Sequence, residues 1–105
     1  MRKRRVFRQG DVVLIEESLP QSPDIDWKRR HPLVIMGETG NAHVLEATVL
    51  QDEWNGSEYV VVEKPTPLTH PEHATLIIPP GTYRITTVRD WRYNRGDWGQ
   101  VRALD

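Results

Sequence analysis

The chain has 105 residues, of which 37% are hydrophobic and 28% are charged, and its formal net charge is −1. This length suits one domain with a modest core, so we expect a single domain over residues 1–105. The absence of cysteine excludes disulfide frameworks, thiolate nucleophiles and cysteine-based metal sites, and it fits a reducing, cytoplasmic compartment. No apolar run is long enough to cross a membrane, and we expect no membrane partner.

Charge is unevenly distributed along the chain. Residues 1–30 carry eight basic and five acidic side chains, residues 31–83 carry one and seven, and residues 84–105 carry five and three. The ends are therefore basic and the middle is acidic. We expect residues 1–8 to form a basic N-terminal arm. If both ends meet in the fold, they form a face for an anionic partner; otherwise they are ordinary solvated segments.

The sequence pattern in the first half of the chain predicts short strands separated by turns. Residues 11–16 contain four consecutive apolar side chains, which predicts a strand buried on both faces. Residues 24–30 could form a single helical turn, but the segment is too short for a stable helix of its own. Another strand is predicted at 33–36. Residues 42–50 alternate, which predicts a strand whose buried face carries His43, Leu45, Ala47 and Val49.

The second half continues this pattern. The pair Asn55-Gly56 predicts a hairpin that joins strand 42–50 to a strand at 59–63. Prolines then end the strand, and Thr69 and Glu72 are spaced as a capping box, which predicts one helical turn over 69–73. Strands follow at 76–78 and 83–89, and a polar, aromatic loop at 91–98. Six or seven short strands predict an all-β fold, either a small closed or partly open barrel or a sandwich.

Three histidines form the first candidate site. On one helical turn His70 and His73 would face the same side, and His43 lies at the entry of a buried strand face. Imidazole binds divalent transition metals, and Glu46 or Glu72 could add a carboxylate ligand. Ligands of one metal have ring nitrogens about 3–4 Å apart, so the separation of His43 from the other two tests this interpretation. The alternative is that these histidines only cap, hydrogen-bond or lie on the surface.

Basic and aromatic residues form the second candidate site. Aromatic rings stack on bases and guanidinium groups hold phosphates, a combination that suits single-stranded nucleic acid such as RNA. The alternative is that the tryptophans are partly buried and stack against arginines. The candidate residues are Arg2, Lys3, Arg4, Arg5, Arg8, Trp27, Lys28, Arg29, Arg30, Arg92, Tyr93 and Arg95.

The chain also carries two family resemblances. Gly40-Asn41-Ala42-His43 with Glu46, followed by Pro80-Gly81, resembles the two short motifs of cupins, small metal-binding β-barrels. Asn41 stands where the first cupin histidine would be, and no histidine follows Gly81. The wider layout of residues 9–12, 40–43, 68–73 and 79–83 resembles a family of small bacterial and phage-associated proteins of unknown function. Members of that family commonly carry histidine at the position of Asn41, which directs attention to the histidines.

These observations give two functional hypotheses. The first is a non-catalytic binding or assembly module without a cofactor. It forms a homo-oligomer, with acidic middle against basic ends, and contacts an anionic partner such as RNA through its basic termini and aromatic loops. The second is a small metal-dependent enzyme that uses His43, His70, His73 and Glu46 with a divalent transition metal. The sequence shows no nucleophile motif, and whether the protein is an enzyme stays open.

Overall fold

The structure, a computed structural model, describes residues 4–37 and 40–93. Within these ranges the chain forms ten strands and one helix. The strands are β1 (Val6–Gln9), β2 (Val12–Glu16), β3 (Trp27–Arg30), β4 (Leu33–Met36), β5 (Ala42–Leu45), β6 (Thr48–Asp52), β7 (Glu58–Val62), β8 (Thr66–His70), β9 (His73–Ile78) and β10 (Gly81–Thr87), and the helix is α1 (Val88–Tyr93). The helix is short, so strands determine the architecture.

The strands form two antiparallel sheets. The six-stranded sheet has the order β1-β2-β10-β7-β6-β3, and the four-stranded sheet has the order β4-β5-β8-β9. This arrangement confirms the all-β prediction, and of the two expected architectures the sandwich fits while a closed barrel does not. Consecutive strands pair as hairpins in both sheets, but β10 inserts between β2 and β7 and joins strands that are distant in sequence.

The core lies between the inward faces of the two sheets. Leu14, Val60 and Tyr83 come from the six-stranded sheet and Leu45 and Leu68 from the four-stranded sheet, each no more than 1% exposed. Strand β2 is buried on both faces, as its unbroken apolar run predicts. Its Val12 and Leu14 face this core, while Val13 and Ile15 pack in a second cluster with Val6 and Val88. Burial of these side chains supplies the main stabilisation of the fold.

The segment predicted as one strand over 42–50 divides at Glu46 and Ala47. Its first part, β5, belongs to the four-stranded sheet, and its second part, β6, to the six-stranded sheet. A tight turn, in which the Ala47 N–H donates to Leu45 O at 2.8 Å, makes the change of sheet. The predicted face is nevertheless correct, since His43, Leu45, Ala47 and Val49 are all buried. The predicted hairpin through Asn55-Gly56 is also confirmed, because β6 pairs with β7.

Several local predictions are wrong. The helical turn over 69–73 is instead the hairpin of β8 and β9, with His70 paired to His73 across a two-residue turn. The Glu72 N–H donates to the His70 ring and the Thr69 hydroxyl donates to Val44 O, so neither group makes a helix cap. Residues 27–30 form β3 rather than a helical turn. The predicted strand 83–89 ends at Thr87, and helix α1 begins at Val88, within that predicted strand. The helix also occupies residues 91–93 of the predicted loop 91–98, and the rest of that loop lies outside the described residues.

The predicted basic arm over residues 1–8 is partly a strand. From Val6 onwards the chain is β1, paired with β2 along four residue pairs. The N–H of Glu16 donates to Arg5 O at 2.8 Å, so the backbone at Arg5 is already tied to the sheet. Residues 1–3 lie outside the described ranges. Of the candidate arm residues with described positions, Arg8 lies within β1 and Arg4 and Arg5 directly precede it.

No helix in the described ranges has the length and apolar character that a membrane crossing requires.

Candidate functional site

His43, His70 and His73 lie together between the two sheets and are called the histidine cluster below. The ring centroids of His43 and His70 are 4.3 Å apart, those of His70 and His73 are 4.6 Å apart, and those of His43 and His73 are 6.0 Å apart. His43 is 3% exposed and His70 is 9% exposed. The sequence-based expectation that these three side chains converge is therefore met, although through sheet pairing rather than a helical turn.

Strand register explains the convergence. Strands β5 and β8 are neighbours, with Leu45 opposite Leu68, and both leucines face the core. Because side chains alternate along a strand, the residues two positions away face inward too: His43 on β5 and His70 on β8. The tight turn after His70 then returns the chain so that His73 stands opposite His70.

A glutamine from the other sheet completes the cluster. Gln9 ends β1, is fully buried, and donates from its amide nitrogen to Leu68 O and Ala74 O, each at 2.9 Å. Its amide oxygen lies 2.9 Å from His43 Nδ1. One side chain of the six-stranded sheet thus contacts β5, β8 and β9 of the four-stranded sheet.

These bonds fix the proton on His43. The opposite amide orientation would place the Gln9 oxygen against two carbonyl oxygens, so the amide oxygen must face His43. An amide oxygen only accepts, and His43 Nδ1 must therefore donate. Neutral His43 then carries its lone pair on Nε2, the nitrogen that can accept a proton or bind a metal.

His70 has the opposite arrangement. The backbone N–H of Glu72 donates to His70 Nδ1 at 3.0 Å, so this nitrogen carries the lone pair and the neutral ring is protonated at Nε2. The turn is also held by Asn41, whose amide donates to Glu72 Oε1 at 2.7 Å. The cluster therefore contains one ring that can accept through Nε2 and one that can donate through it.

One glycine allows this close packing. A Cβ atom on Gly10 would lie 2.7 Å from His73 Nε2 and 3.2 Å from His43 Cε1, and Gly10 has φ of +57°. Gly10 is required both by its backbone conformation and by the imidazoles that occupy the space of a side chain.

Burial sets the charge state of His43. Loss of hydration lowers the pKa of His43 below its ordinary value of 6.5, positive charge on His70 or His73 lowers it further, and the carboxylate of Asp11 opposes the shift. His43 is therefore neutral at pH 7, and its hydrogen bond to Gln9 selects the tautomer with the proton on Nδ1.

A cavity of about 330 Å³ lies beside His43. Both sheets and helix α1 contribute to its wall, which is apolar on one side and carries carboxylates and hydroxyls on the other. The residues that line it are Asp11, Val12, Ile35, Met36, Gly37, His43, Glu58, Ile85, Thr86, Thr87 and Asp90. A small molecule in this cavity would contact the histidine cluster through His43.

Glu46, the fourth predicted metal ligand, lies elsewhere. Its side chain is 69% exposed, and Oε2 is 3.5 Å from Nε2 of His31, the histidine outside the cluster. Within residues 4–37 and 40–93, no group of three or more histidine, aspartate or glutamate side chains has the geometry that holds a metal ion.

The predicted nucleic-acid-binding residues do not gather on one surface in the described part of the chain. Arg4, Arg5 and Arg8 belong to the β1 side of the six-stranded sheet, whereas residues 27–30 form β3 at its opposite edge. Arg92 and Tyr93 fall in the last turn of α1, and Arg2, Lys3 and Arg95 lie outside the described residues. The predicted meeting of the basic ends is therefore not seen in residues 4–93, since Arg4 and helix α1 lie at opposite ends of β2.

Several of these cations are already paired. Arg5 donates from Nε and Nη2 to Glu16 Oε2 at 3.0 and 2.6 Å. Arg30 forms an ion pair with Glu58, and the Arg8 guanidinium donates to Gly10 O at 2.9 Å. By contrast, Lys28 and Arg29 are exposed, and their side chains make no hydrogen bond or ion pair within the described residues. Trp27 packs edge-on against Tyr59, with ring centroids 5.9 Å apart.

A family model, the domain of unknown function DUF8820, matches residues 8–88. The chain belongs to this family. The match runs from within β1 to the first residue of α1 and so contains Gln9 and the whole histidine cluster. It agrees with the resemblance to a family of unknown function. Neither the curated proteins nor the solved structures contain a significant match to this DUF8820 domain.

Replacing Gly10 with alanine should destabilise the fold more than replacing Gly56 does. Both glycines have positive φ, which costs an alanine about 1 kcal/mol, but only Gly10 faces imidazoles, whereas nothing lies within 4 Å of a Cβ on Gly56. We expect a loss of unfolding free energy of roughly 2–3 kcal/mol for Gly10→Ala and about 1 kcal/mol for Gly56→Ala, measured by urea denaturation. Equal losses would contradict the packing of the histidines against Gly10.

Stability should fall as the pH drops below about 6.5. In this range the unfolded chain protonates its histidines while native His43 resists protonation, so the unfolded state binds more protons. Urea denaturation in a chelator-containing buffer at several pH values measures the slope. The variant His43→Gln should flatten it, whereas His31→Gln should leave it unchanged. A slope that is the same in both variants would exclude His43 as its source.

Proposed function

We propose that this DUF8820 domain is a small binding module that holds a divalent transition-metal ion at its histidine cluster. The observation that carries the proposal is the convergence of three imidazoles from three neighbouring strands, with ring centroids 4.3 to 6.0 Å apart. Imidazole nitrogen suits zinc, nickel, copper and iron. Because the cluster does not have three-ligand geometry as it stands in the described residues, metal binding would require local movement of its rings.

The hydrogen bond to Gln9 supports His43 as a ligand. Histidines that bind metals usually donate their other ring N–H to an oxygen, which fixes the tautomer and the ring orientation. His43 does this through Nδ1 at 2.9 Å from the Gln9 oxygen, which leaves Nε2 for the metal. His73 would supply a second nitrogen beside it, since a Cβ on Gly10 would touch both rings.

His70 could join only after a change of tautomer. Binding through Nε2 would move its proton to Nδ1 and displace the Glu72 N–H, which now donates there. Metal binding would therefore be linked to the turn at Pro71 and Glu72, and the lost backbone hydrogen bond would reduce affinity by about 1 kcal/mol. Use of the metal in catalysis, as in the second sequence-based hypothesis, would add a reaction and stays a prediction.

Added Zn²⁺ or Ni²⁺ should raise the melting temperature of the chelator-treated protein by several degrees, since a ligand at 100 times its Kd stabilises by about 2.7 kcal/mol. The variant His73→Ala should lose this shift and the stoichiometric metal measured after dialysis. His31→Ala, which removes the histidine outside the cluster, is the matched control and should retain both. No bound metal and no shift in the wild-type protein would end the proposal.

Binding of an anionic partner such as RNA is a second candidate function, and self-association in the cytoplasm is part of the same interpretation. The observation that favours it is the exposed edge strand β3, where Lys28 and Arg29 have no ionic partner in the described part of the chain and Trp27 stands beside them. An edge that carries exposed cations can also serve only to prevent sheet-to-sheet aggregation, so measurement must decide.

The double variant Lys28→Ala with Arg29→Ala should weaken binding to single-stranded RNA. If both side chains contact phosphates, the slope of log affinity against log salt should decrease by about 1.4, at roughly 0.7 per contact for single strands. The control is Arg5→Ala, which removes a cation already paired with Glu16 and should change affinity little. Binding that is absent, or that is independent of salt, would remove this candidate.

A further inference from the structure

The four-stranded sheet has an apolar outer face on the side opposite the histidine cluster. Each of its strands contributes two side chains, and the register places them beside one another, as with Val34 and Val44 or Pro67 and Ile77. We call this set the outer face; it consists of Val34, Met36, Ala42, Val44, Pro67, Thr69, Thr75 and Ile77. None of the eight side chains is ionisable.

The exposure of this face is unusual. Val34 is 47% exposed, Met36 is 64% exposed and Ile77 is 59% exposed, and these are three of the four large apolar side chains exposed in the described residues. An antiparallel sheet with one buried face normally presents polar side chains to water on the other. Here the outer face is apolar although it is exposed, which is typical of a protein–protein interface.

We propose that the outer face packs against the same face of a second copy of this chain, related by a two-fold axis. The proposal rests on the self-association part of the proposed function and names the surface; it requires neither the metal nor RNA. In a two-fold interface each residue meets the same patch on the partner, so an uncharged apolar face is its own complement. Two such sheets pack about 10 Å apart with their strands nearly aligned.

The area is that of a weak dimer. Four strands about 4.8 Å apart, each presenting about 15 Å of length, give a face of roughly 290 Å² in projection per copy. The accessible surface of its side chains is larger than this projection, but two copies would bury less than about 1,000 Å², which is the size of a weak, reversible interface.

The chemistry of the face favours a second copy over other occupants. A nucleic acid or an acidic peptide needs cations, and the outer face has none. A lipid surface is usually bound by apolar side chains bordered by lysine or arginine. This dimer can be distinguished from the head-to-tail association expected from the charge distribution by its response to salt. Burial of uncharged surface depends little on ionic strength, whereas association of opposite charges weakens as salt is added.

Sedimentation equilibrium of the full chain at increasing protein concentration tests the proposal. We expect a monomer–dimer equilibrium that added salt does not weaken, with the dissociation constant raised at least tenfold by Val34→Lys and by Ile77→Lys. The control is Trp54→Lys, which removes the most exposed large apolar side chain among the described residues, 83% exposed and located in the β6–β7 turn. This control should dimerise as the wild type does.

Three results would overturn the proposal: a wild-type protein that stays monomeric, dimers that persist in both lysine variants, or equal weakening by Trp54→Lys. Open-ended oligomers that dissociate in salt would favour head-to-tail association instead. Retention of the pH-dependent stability described above would show that each variant is folded. Failure of metal or RNA binding would not affect any of these outcomes.

A second measurement avoids mutation altogether. The chain contains two methionines, Met1 and Met36, and only Met36 lies on the outer face. With labelled methionine methyl groups, the Met36 resonance should shift with protein concentration in the wild type. A Met36 resonance that is independent of concentration while dimers are present would place the interface elsewhere.

Discussion

The buried amide of Gln9 connects the two sheets at the candidate site. It is fully buried, donates to two carbonyl oxygens of the β8–β9 hairpin, and accepts from His43. A buried amide is stable only when all its hydrogen-bonding groups are satisfied, so the position of β1 is coupled to the hairpin and to the tautomer of His43. The geometry of the histidine cluster depends on this single side chain, and Gly10, the next residue, makes room for the rings.

Much of the fold could be predicted from local patterns. The apolar run of β2, the alternation through His43 and Val49, and the Asn55-Gly56 turn all predicted their structures, because each signal depends on a few adjacent residues. The errors at residues 69–73 and 42–50 have a different cause. Residues 69–73 match a capping box, but they form a hairpin because β8 pairs with β5 and β9. Residues 42–50 alternate as one strand, but their two halves pair with strands of different sheets. Both outcomes depend on strand pairing, which local sequence does not show.

The candidate site was predictable only in part. The three histidines were identified, but Gln9 was not a candidate, and nothing in the local sequence shows that its amide reaches β5, β8 and β9. Glu46 was assigned to the cluster by proximity in sequence to His43, yet β5 ends between them and directs Glu46 to His31. The pairing of Arg5 with Glu16 was equally hidden, because it follows from the β1–β2 register.

The central place of β10 has a consequence for how the chain is made. This strand separates β2 from β7, so the β1–β2 hairpin joins the rest of the six-stranded sheet only through residues 81–87. On a ribosome, the chain must be synthesised through residue 87 before this sheet can close, and until then two incomplete sheet edges stay open. The charged residues on the edge strands would protect the nascent chain from aggregation during this interval.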